Sequence, residues 1–261
     1  MFFAKPGDYA PCKMFSIGHL ILFSITIVAI IIVFKFTKNK DKETIKKIIK
    51  RATLLLWTLE IIKIIFNFAV GNGKNPNNYI PLYYCSLILY AGALSSFGRG
   101  KLKRVGDVFL ATGSIIGGIF FMVCPNTSLT MYPMFHYISI QSFIFHGTMV
   151  YLGMLVGYSN YIDLKLNDIK YYATLIIIIS GISYIVNKFL NTNFMFISKN
   201  FPGTPIELIY NATGKFFTIL MIIIQAIGPF YVIYLISNII KKYFAKKQKE
   251  NNEIKKEEIT V

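Results

Sequence analysis

Seven long apolar runs dominate the hydropathy pattern of the chain, and short segments rich in charge, proline or glycine separate them. Each run has close to the ~20 residues that an α-helix needs to cross roughly 30 Å of hydrocarbon. The pattern predicts an all-α fold, a polytopic membrane helix bundle with seven transmembrane helices. The predicted spans are 16–36, 50–70, 79–97, 105–124, 133–156, 169–190 and 215–240.

The distribution of basic residues predicts the orientation of this bundle. One set of connections, together with the C-terminal tail, contains 21 lysines and arginines, whereas the opposite set contains five. Because basic residues accumulate on the cytoplasmic side, we expect a multi-pass protein of the cell membrane with an extracellular N-terminus and a cytoplasmic C-terminus. The predicted parts are an N-terminal segment (1–15), the seven-span domain (16–240) and a charged tail (241–261).

The composition supports a membrane protein and argues against nucleic-acid binding. Hydrophobic residues make up 54% of the 261 residues, charged residues only 15%, and the mean hydropathy is +0.53. The formal net charge of +16 comes from residues at the ends of the apolar runs, where anionic lipid headgroups account for it. Membrane phospholipid is the expected partner, and nucleic acid is not.

One connection differs from the others. The segment from Asn191 to Gly214 combines aromatic and isoleucine residues with Pro202, Gly203 and Pro205. Long connections in compact domains are commonly packed by their own side chains. We therefore expect this segment to fold back onto the bundle as a lid.

Ionisable residues inside predicted spans are costly, so each needs a partner or a function. Glu60 and Lys63 lie three residues apart in the second span, so they share a helix face and can form an ion pair. Such a pair either fixes helix packing or supplies a functional carboxylate.

Cys85 lies about one and a half turns into the third predicted span and is the candidate nucleophile. A lone buried cysteine can equally be a small hydrophobic residue. Cys12 and Cys124 both lie on the predicted outer side, where they could form a disulfide that sequence alone does not decide. Cys85 would then be the free thiol.

Two histidines lie in the fifth span, His136 in its first turn and His146 ten residues deeper. By helical rise, His146 lies about 20 Å below the outer end of its helix and Cys85 about 9 Å below its own, so His136 matches the depth of Cys85 better. Either histidine could instead be a neutral imidazole that joins helices, with Gln141 or Gln225 as partner. The sequence has no spacing typical of a metal site or a phosphate-binding loop, so we expect neither metal nor cofactor.

Several short motifs resemble, in their order and spacing, those of the YwaF-type bacterial integral membrane proteins. The resemblance covers roughly residues 50–235. The residues that carry it are Trp57, Glu60 and Lys63; Pro81, Leu82, Cys85 and Ser86; Pro125 and Asn126; Phe143, His146 and Gly147; Thr192 to Met195; and Gly228, Pro229 and Tyr231.

That family is similar to an animal membrane family regarded as a Cys-dependent phospholipid acyltransferase. The resemblance implies that Cys85 is the acyl-accepting nucleophile and His146 its base, and we keep His136 as the substitute. The family commonly has a histidine two residues before the cysteine, where this sequence has Tyr83. A phenol can donate a hydrogen bond but is not a base near neutral pH, which separates this chain from a mechanism that needs that histidine.

Three functional hypotheses follow. The first is a phospholipid acyltransferase or lipid hydrolase with a thioester on Cys85, in which Glu60 orients the histidine and Tyr83 or Gln225 stabilises an oxyanion. The second is a transporter or small-molecule-binding protein in which Glu60, Lys63 and the histidines line a polar pathway, although the two halves show no repeat. The third is a structural membrane subunit without catalysis.

Overall fold

The structure, a computed structural model, describes the backbone of residues 1–159 and 161–260, and the side chains to residue 243 and at 246 and 247. Within this part of the chain the fold consists of nine α-helices, with short 3₁₀ turns and no strand. The helices are α1 (Ile17–Thr37), α2 (Lys42–Ala69), α3 (Leu87–Phe97), α4 (Gly100–Ala111), α5 (Gly113–Val123), α6 (Tyr137–Tyr158), α7 (Ile169–Leu190), α8 (Pro205–Thr213) and α9 (Phe217–Thr260).

The all-α membrane architecture predicted from the hydropathy pattern is confirmed. Among the described residues, six helical stretches are long and apolar enough to cross a membrane, and a further apolar helix, Tyr84–Phe97, is shorter. The six are Ile17–Thr37, Lys42–Ala69, Gly100–Val123, Tyr137–Tyr158, Leu166–Leu190 and Pro205–Tyr243.

The third predicted span, 79–97, is helical only in its second part. Residues 79–83 are not helical, and the 3₁₀ turn Tyr84–Ser86 leads directly into α3. Pro81 explains the late start, because proline lacks an N–H and disfavours helical geometry in the residue before it. An extended segment therefore enters the bundle where a helix was expected.

Helix α2 begins eight residues before its predicted span. Asp41 caps its N-terminus, since the carboxylate accepts hydrogen bonds from the backbone N–H groups of Glu43 and Thr44 at 3.0 and 2.9 Å. Ile45 and Ile49, on its first turns, are completely buried. The lysine-rich connection after the first span is thus mostly an amphipathic continuation of α2.

The fourth span is broken at its centre. Thr112, between α4 and α5, has φ −128° and ψ −76°, which ends the helical hydrogen-bond pattern. The Thr112 hydroxyl donates to Val108 O at 2.7 Å, and Ser114 Oγ lies 2.5 Å from Leu110 O. These hydroxyls satisfy backbone carbonyls that would otherwise be unpaired inside an apolar medium.

A tight hairpin of α3 and α4 forms the centre of the bundle. A Cβ atom on Gly106 would lie 2.4 Å from both Ala91 O and Ser95 N on α3. The next residue, the buried Asp107, accepts hydrogen bonds from Ser95 Oγ at 2.6 Å and from Lys103 Nζ at 2.5 Å. The two helices are therefore joined by backbone contact and by a satisfied buried carboxylate.

A second charge pair joins α4 to the start of α7. The Arg104 guanidinium donates to both carboxylate oxygens of Asp168, with Nε to Oδ1 at 2.9 Å. Its Nη2 also donates to Asp163 O at 2.7 Å, and Lys165 N donates to Asp168 at 2.8 Å. This fork fixes the connection between α6 and α7 at the end of the bundle opposite to Cys85.

The first part of the connection predicted to be a lid, residues 191–199, folds back onto the bundle, whereas α8, in its second part, has no buried residue. Phe194, Met195 and Ile197 are completely buried. The Asn187 side chain holds the segment: its oxygen accepts from Phe194 N at 2.7 Å and Thr192 Oγ1 at 2.8 Å, and its nitrogen donates to Phe194 O at 3.0 Å. We call residues 191–199 the lid segment.

We predict that Gly106→Ala destabilises the protein by about 1–3 kcal/mol, because the added methyl group meets backbone atoms that cannot rotate away. The matched control is Gly181→Ala in α7, where a Cβ meets no atom within 4 Å. That change should be neutral or stabilising by up to about 1 kcal/mol. Unfolding in mixed micelles, followed by circular dichroism, measures both, and equal effects would contradict the close α3–α4 contact.

Candidate functional site

Cys85 lies at the very start of a helix. It is the middle residue of the 3₁₀ turn Tyr84–Ser86 that opens α3, and not one and a half turns inside a span as predicted. Its Sγ lies 3.9 Å from Gly117 O on α5. A helix N-terminus presents free N–H groups and a positive dipole end.

Tyr84, the residue before Cys85, packs against Gly113 and Gly117 on α5. The Tyr84 hydroxyl is 2.7 Å from the Tyr172 hydroxyl, and a Cβ on Gly117 would lie 3.0 Å from the Tyr84 ring. Gly117 thus leaves room for the Tyr84 ring, and this contact helps to set the position of Cys85.

The Tyr83 side chain contacts the connection before α3 and the lid segment. Its hydroxyl donates to Asn77 Oδ1 at 2.8 Å, and its ring packs on Phe194 and Phe196 of the lid segment. Tyr83 therefore joins the lid segment to the connection before α3.

Glu60 and Lys63 form the ion pair that their spacing permits. Lys63 Nζ lies 2.7 Å from Glu60 Oε1, and the Glu60 side chain is 3% exposed. Helix α2, which carries this pair, contacts both α3, which Cys85 opens, and α6, which carries His146. We refer to Glu60, Lys63, Cys85 and His146 together as the polar region.

The buried ring of His146 has one occupied and one free nitrogen. Nδ1 lies 2.7 Å from Ser142 O, and because a carbonyl only accepts, Nδ1 carries the proton. Nε2 is buried and has no hydrogen-bond partner among the described residues. The ring stacks on Phe121 with 3.6 Å between centroids. His146 is therefore held as a neutral imidazole with an unused lone pair.

The other two histidines use both ring nitrogens. His136 caps α6, since its Nδ1 accepts from Ile138 N at 3.1 Å and its Nε2 donates to Ala4 O at 3.1 Å. Burial lowers the pKa of His136 from its ordinary value, which keeps the ring neutral. His19 was not predicted as a site residue. Its Nδ1 accepts from Phe15 N at 3.0 Å and its Nε2 donates to Met122 O at 2.8 Å.

Neither glutamine that was predicted as a histidine partner bonds to the free Nε2 of His146 in the described part of the chain. Gln225 Nε2 donates to Met195 O of the lid segment at 2.8 Å, while its Oε1 is buried without a partner in the described part of the chain. Gln141 is buried and accepts a long hydrogen bond of 3.5 Å from Ser142 Oγ. Gln225 acts on the lid segment, and Gln141 on its own helix.

Cys85 and His146 approach α5 at consecutive glycines. Cys85 Sγ contacts Gly117 O, and a Cβ on Gly118 would lie 2.7 Å from His146 O. No direct hydrogen bond joins the thiol to Nε2 among the described residues. Catalytic hydrogen bonds often form only when substrate binds.

A comparison with protein-family models matches residues 14–240 to the model of the TMEM164 family. The chain belongs to the TMEM164 family. The match includes Glu60, Lys63, Cys85 and His146, so the polar region lies within the part of the chain that characterises this membrane family. No curated protein and no solved structure matches the chain. The narrower YwaF-type name and the bacterial origin stay predictions.

The three cysteines of the chain form no disulfide. Cys12, Cys85 and Cys124 are free thiols, and Cys12 Sγ lies 3.1 Å from Ser16 Oγ. Within the described residues no group of three or more His, Cys, Asp or Glu side chains could hold a metal ion.

The break at Thr112 was also missed by sequence reasoning, although the Thr–Gly–Ser run at 112–114 could have indicated it.

Proposed function

We propose that this TMEM164-family protein is a phospholipid acyltransferase or lipid hydrolase that works through a thioester on Cys85, with His146 as base. One observation carries the proposal: of the three histidines, only His146 has a buried, unprotonated Nε2 without a partner in the described part of the chain. His146 and Cys85 both pack against α5, the histidine on Phe121 and the cysteine, at a helix N-terminus, on Gly117. The resemblance to a Cys-dependent acyltransferase family supports the same two residues.

In the first half-reaction His146 Nε2 takes the proton of the Cys85 thiol. The thiolate attacks the carbonyl carbon of a phospholipid ester, and a C–S bond forms. The C–O bond to the glycerol then breaks, and the leaving lysolipid oxygen takes the proton back from Nε2. The products are a lysolipid and an acyl thioester on Cys85.

In the second half-reaction the same nitrogen works in reverse. Nε2 takes a proton from the hydroxyl of an acceptor lysolipid, or from water, as its oxygen attacks the thioester carbonyl. The C–S bond breaks and the Cys85 sulfur recovers the proton. Acyl transfer results from a lysolipid acceptor and hydrolysis from water.

Lys63 and Glu60 supply the charge balance for these steps. A thiolate in hydrocarbon is costly unless a cation is near, and we assign this part to Lys63. Glu60 holds the Lys63 ammonium at 2.7 Å and thereby sets its position, which differs from the predicted role of orienting the histidine. We assign neither Tyr83 nor Gln225 an oxyanion role, because both bind to other groups.

A specific observation favours a second candidate, the binding or transport of a small molecule. A span broken at mid-length, here at Thr112, is common in transporters, where unwound backbone binds the substrate. In this chain, however, Thr112 and Ser114 hydroxyls already satisfy the neighbouring carbonyls. Failure of the activity test below, with folded protein, would favour this candidate.

We also propose the topology: seven crossings, an extracellular N-terminus and a cytoplasmic C-terminus. The exposed Lys74 and Lys101 test it as single cysteines in a background of Cys12→Ser, Cys85→Ala and Cys124→Ser. An impermeant maleimide should label Lys74→Cys in intact cells and Lys101→Cys only after permeabilisation. The reverse pattern would contradict the orientation, and equal labelling on one side would contradict an odd number of crossings between them.

We predict that His146→Gln lowers acyl transfer between a labelled phospholipid and a lysophospholipid by about 10²–10⁴-fold, because the base is lost. Cys85→Ala should abolish the transfer. His19→Gln should retain most of it, since both nitrogens of His19 bind backbone groups. Product formation by the purified protein in lipid nanodiscs measures all three.

The variant His136→Asn tests whether His136 or His146 is the base, because asparagine can still cap α6. Retained activity in this variant supports His146 as the base. Loss of activity in His136→Asn together with normal activity in His146→Gln would assign the role to His136 and contradict the proposal.

A further inference from the structure

A polar groove of about 240 Å³ lies at the end of α7, between the lid segment and the first turn of α9. It is separate from Cys85, which does not line it. Lys188 of α7 and Lys199 of the lid segment are both exposed and both line it. No aspartate or glutamate is among its lining residues. The groove therefore has two cations and no carboxylate to neutralise them.

The two ammonium groups keep donors available. Lys199 Nζ donates one hydrogen bond, to Asn191 O at 2.5 Å, and an ammonium has three donors. Lys188 Nζ lies over the Tyr184 ring, 4.8 Å from its centroid. Neither lysine takes part in an ion pair within the described residues. The bond from Lys199 to Asn191 O caps the C-terminus of α7, but no carboxylate neutralises the charge of either lysine.

The backbone that supports Lys199 is fixed before any ligand binds. Asn193 Oδ1 accepts from both Ser198 N and Lys199 N at 3.0 Å, and Asn193 Nδ2 donates to Lys199 O at 3.1 Å. Asn187 Nδ2 donates to Ser198 Oγ at 2.8 Å, which orients the hydroxyl that lines the groove. Pre-organised cations and a hydroxyl are typical of sites for phosphate oxygens.

The surroundings indicate a lipid as the source of that phosphate. The groove is smaller than the roughly 300–1,000 Å³ of sites for whole small molecules, so it fits a headgroup and not acyl chains. Next to it, Phe189 is 84% exposed and Ile219 is 60% exposed, on helices long enough to cross a membrane. Acyl chains can lie along these side chains while the phosphate enters the groove.

We propose that this groove binds the phosphate of an anionic phospholipid. Binding here does not depend on the proposed acyl transfer. The groove is nevertheless mechanically connected to the Cys85 segment: Ser183, one turn before Asn187, donates to Leu82 O at 3.5 Å, and Tyr83 packs on Phe194 of the lid segment. A bound lipid would stabilise the lid segment against the connection that leads into Cys85.

The test measures binding of dioctanoyl phosphatidate to the full-length protein in a zwitterionic detergent by microscale thermophoresis. We expect saturable binding that weakens about tenfold or more in Lys188→Gln/Lys199→Gln, since each lysine near a membrane surface contributes to anionic-lipid binding. Lys215→Gln is the matched control, because Lys215 is exposed at the start of α9 but does not line the groove. Lys188→Arg/Lys199→Arg, which keeps both charges, should retain binding.

Competition distinguishes the two sources of phosphate. If inorganic phosphate displaces the lipid only at far higher concentration, the acyl chains contribute and the ligand is a lipid. Equal potency of inorganic phosphate supports the site but assigns it to free phosphate. Unchanged affinity in the double glutamine variant, or an equal loss in Lys215→Gln, overturns the proposal. Cys85→Ala should bind phosphatidate like the wild type, so this test and the activity test fail independently.

Discussion

Backbone that is not helical can lie at membrane depth only if protein groups satisfy its N–H and C=O groups, and the region around Cys85 depends on this constraint. Thr112 and Ser114 supply hydroxyls to the broken fourth span. Asn187 and Gln225 do the same for the lid segment, from α7 and α9. Asn187 and Gln225 hold the lid segment from two different helices, and Ser114 also donates to Met149 O of α6 at 3.0 Å, so the surroundings of Cys85 depend on contacts among several helices.

The hydrogen bonds of the ring nitrogens divide the three histidines into two kinds. Two of them, His19 and His136, accept from a backbone N–H through Nδ1 and donate to a carbonyl through Nε2, so they serve as structural caps. His146 has the opposite tautomer, with Nδ1 donating to Ser142 O and Nε2 left free in the described structure. A buried lone pair without a partner is costly in a structural role, and it is what a general base requires.

The sequence predicted the long spans and the ion pair of Glu60 with Lys63 because apolar length and helical spacing are local properties. It could not predict that the helical part of this span begins with the 3₁₀ turn at Tyr84, since Pro81 excludes an earlier helix but does not determine the residue at which the helix starts. The comparison of depths favoured His136 because it assumed that both helices start at the same level. Whether a ring nitrogen is occupied depends on partners distant in sequence, such as Ala4 for His136 and Met122 for His19. The roles of Cys85 and His146 in a reaction stay predictions.

The central claim, a thioester on Cys85, is tested most directly by mass spectrometry of the protein after incubation with a phospholipid of known acyl chain. Rapid acid quenching and digestion should yield the Cys85 peptide with the mass of that acyl chain added. The adduct should disappear with hydroxylamine and be absent from peptides with Cys12 or Cys124. An unmodified Cys85 peptide from protein that turns over the lipid, or an adduct on another residue, would contradict the account.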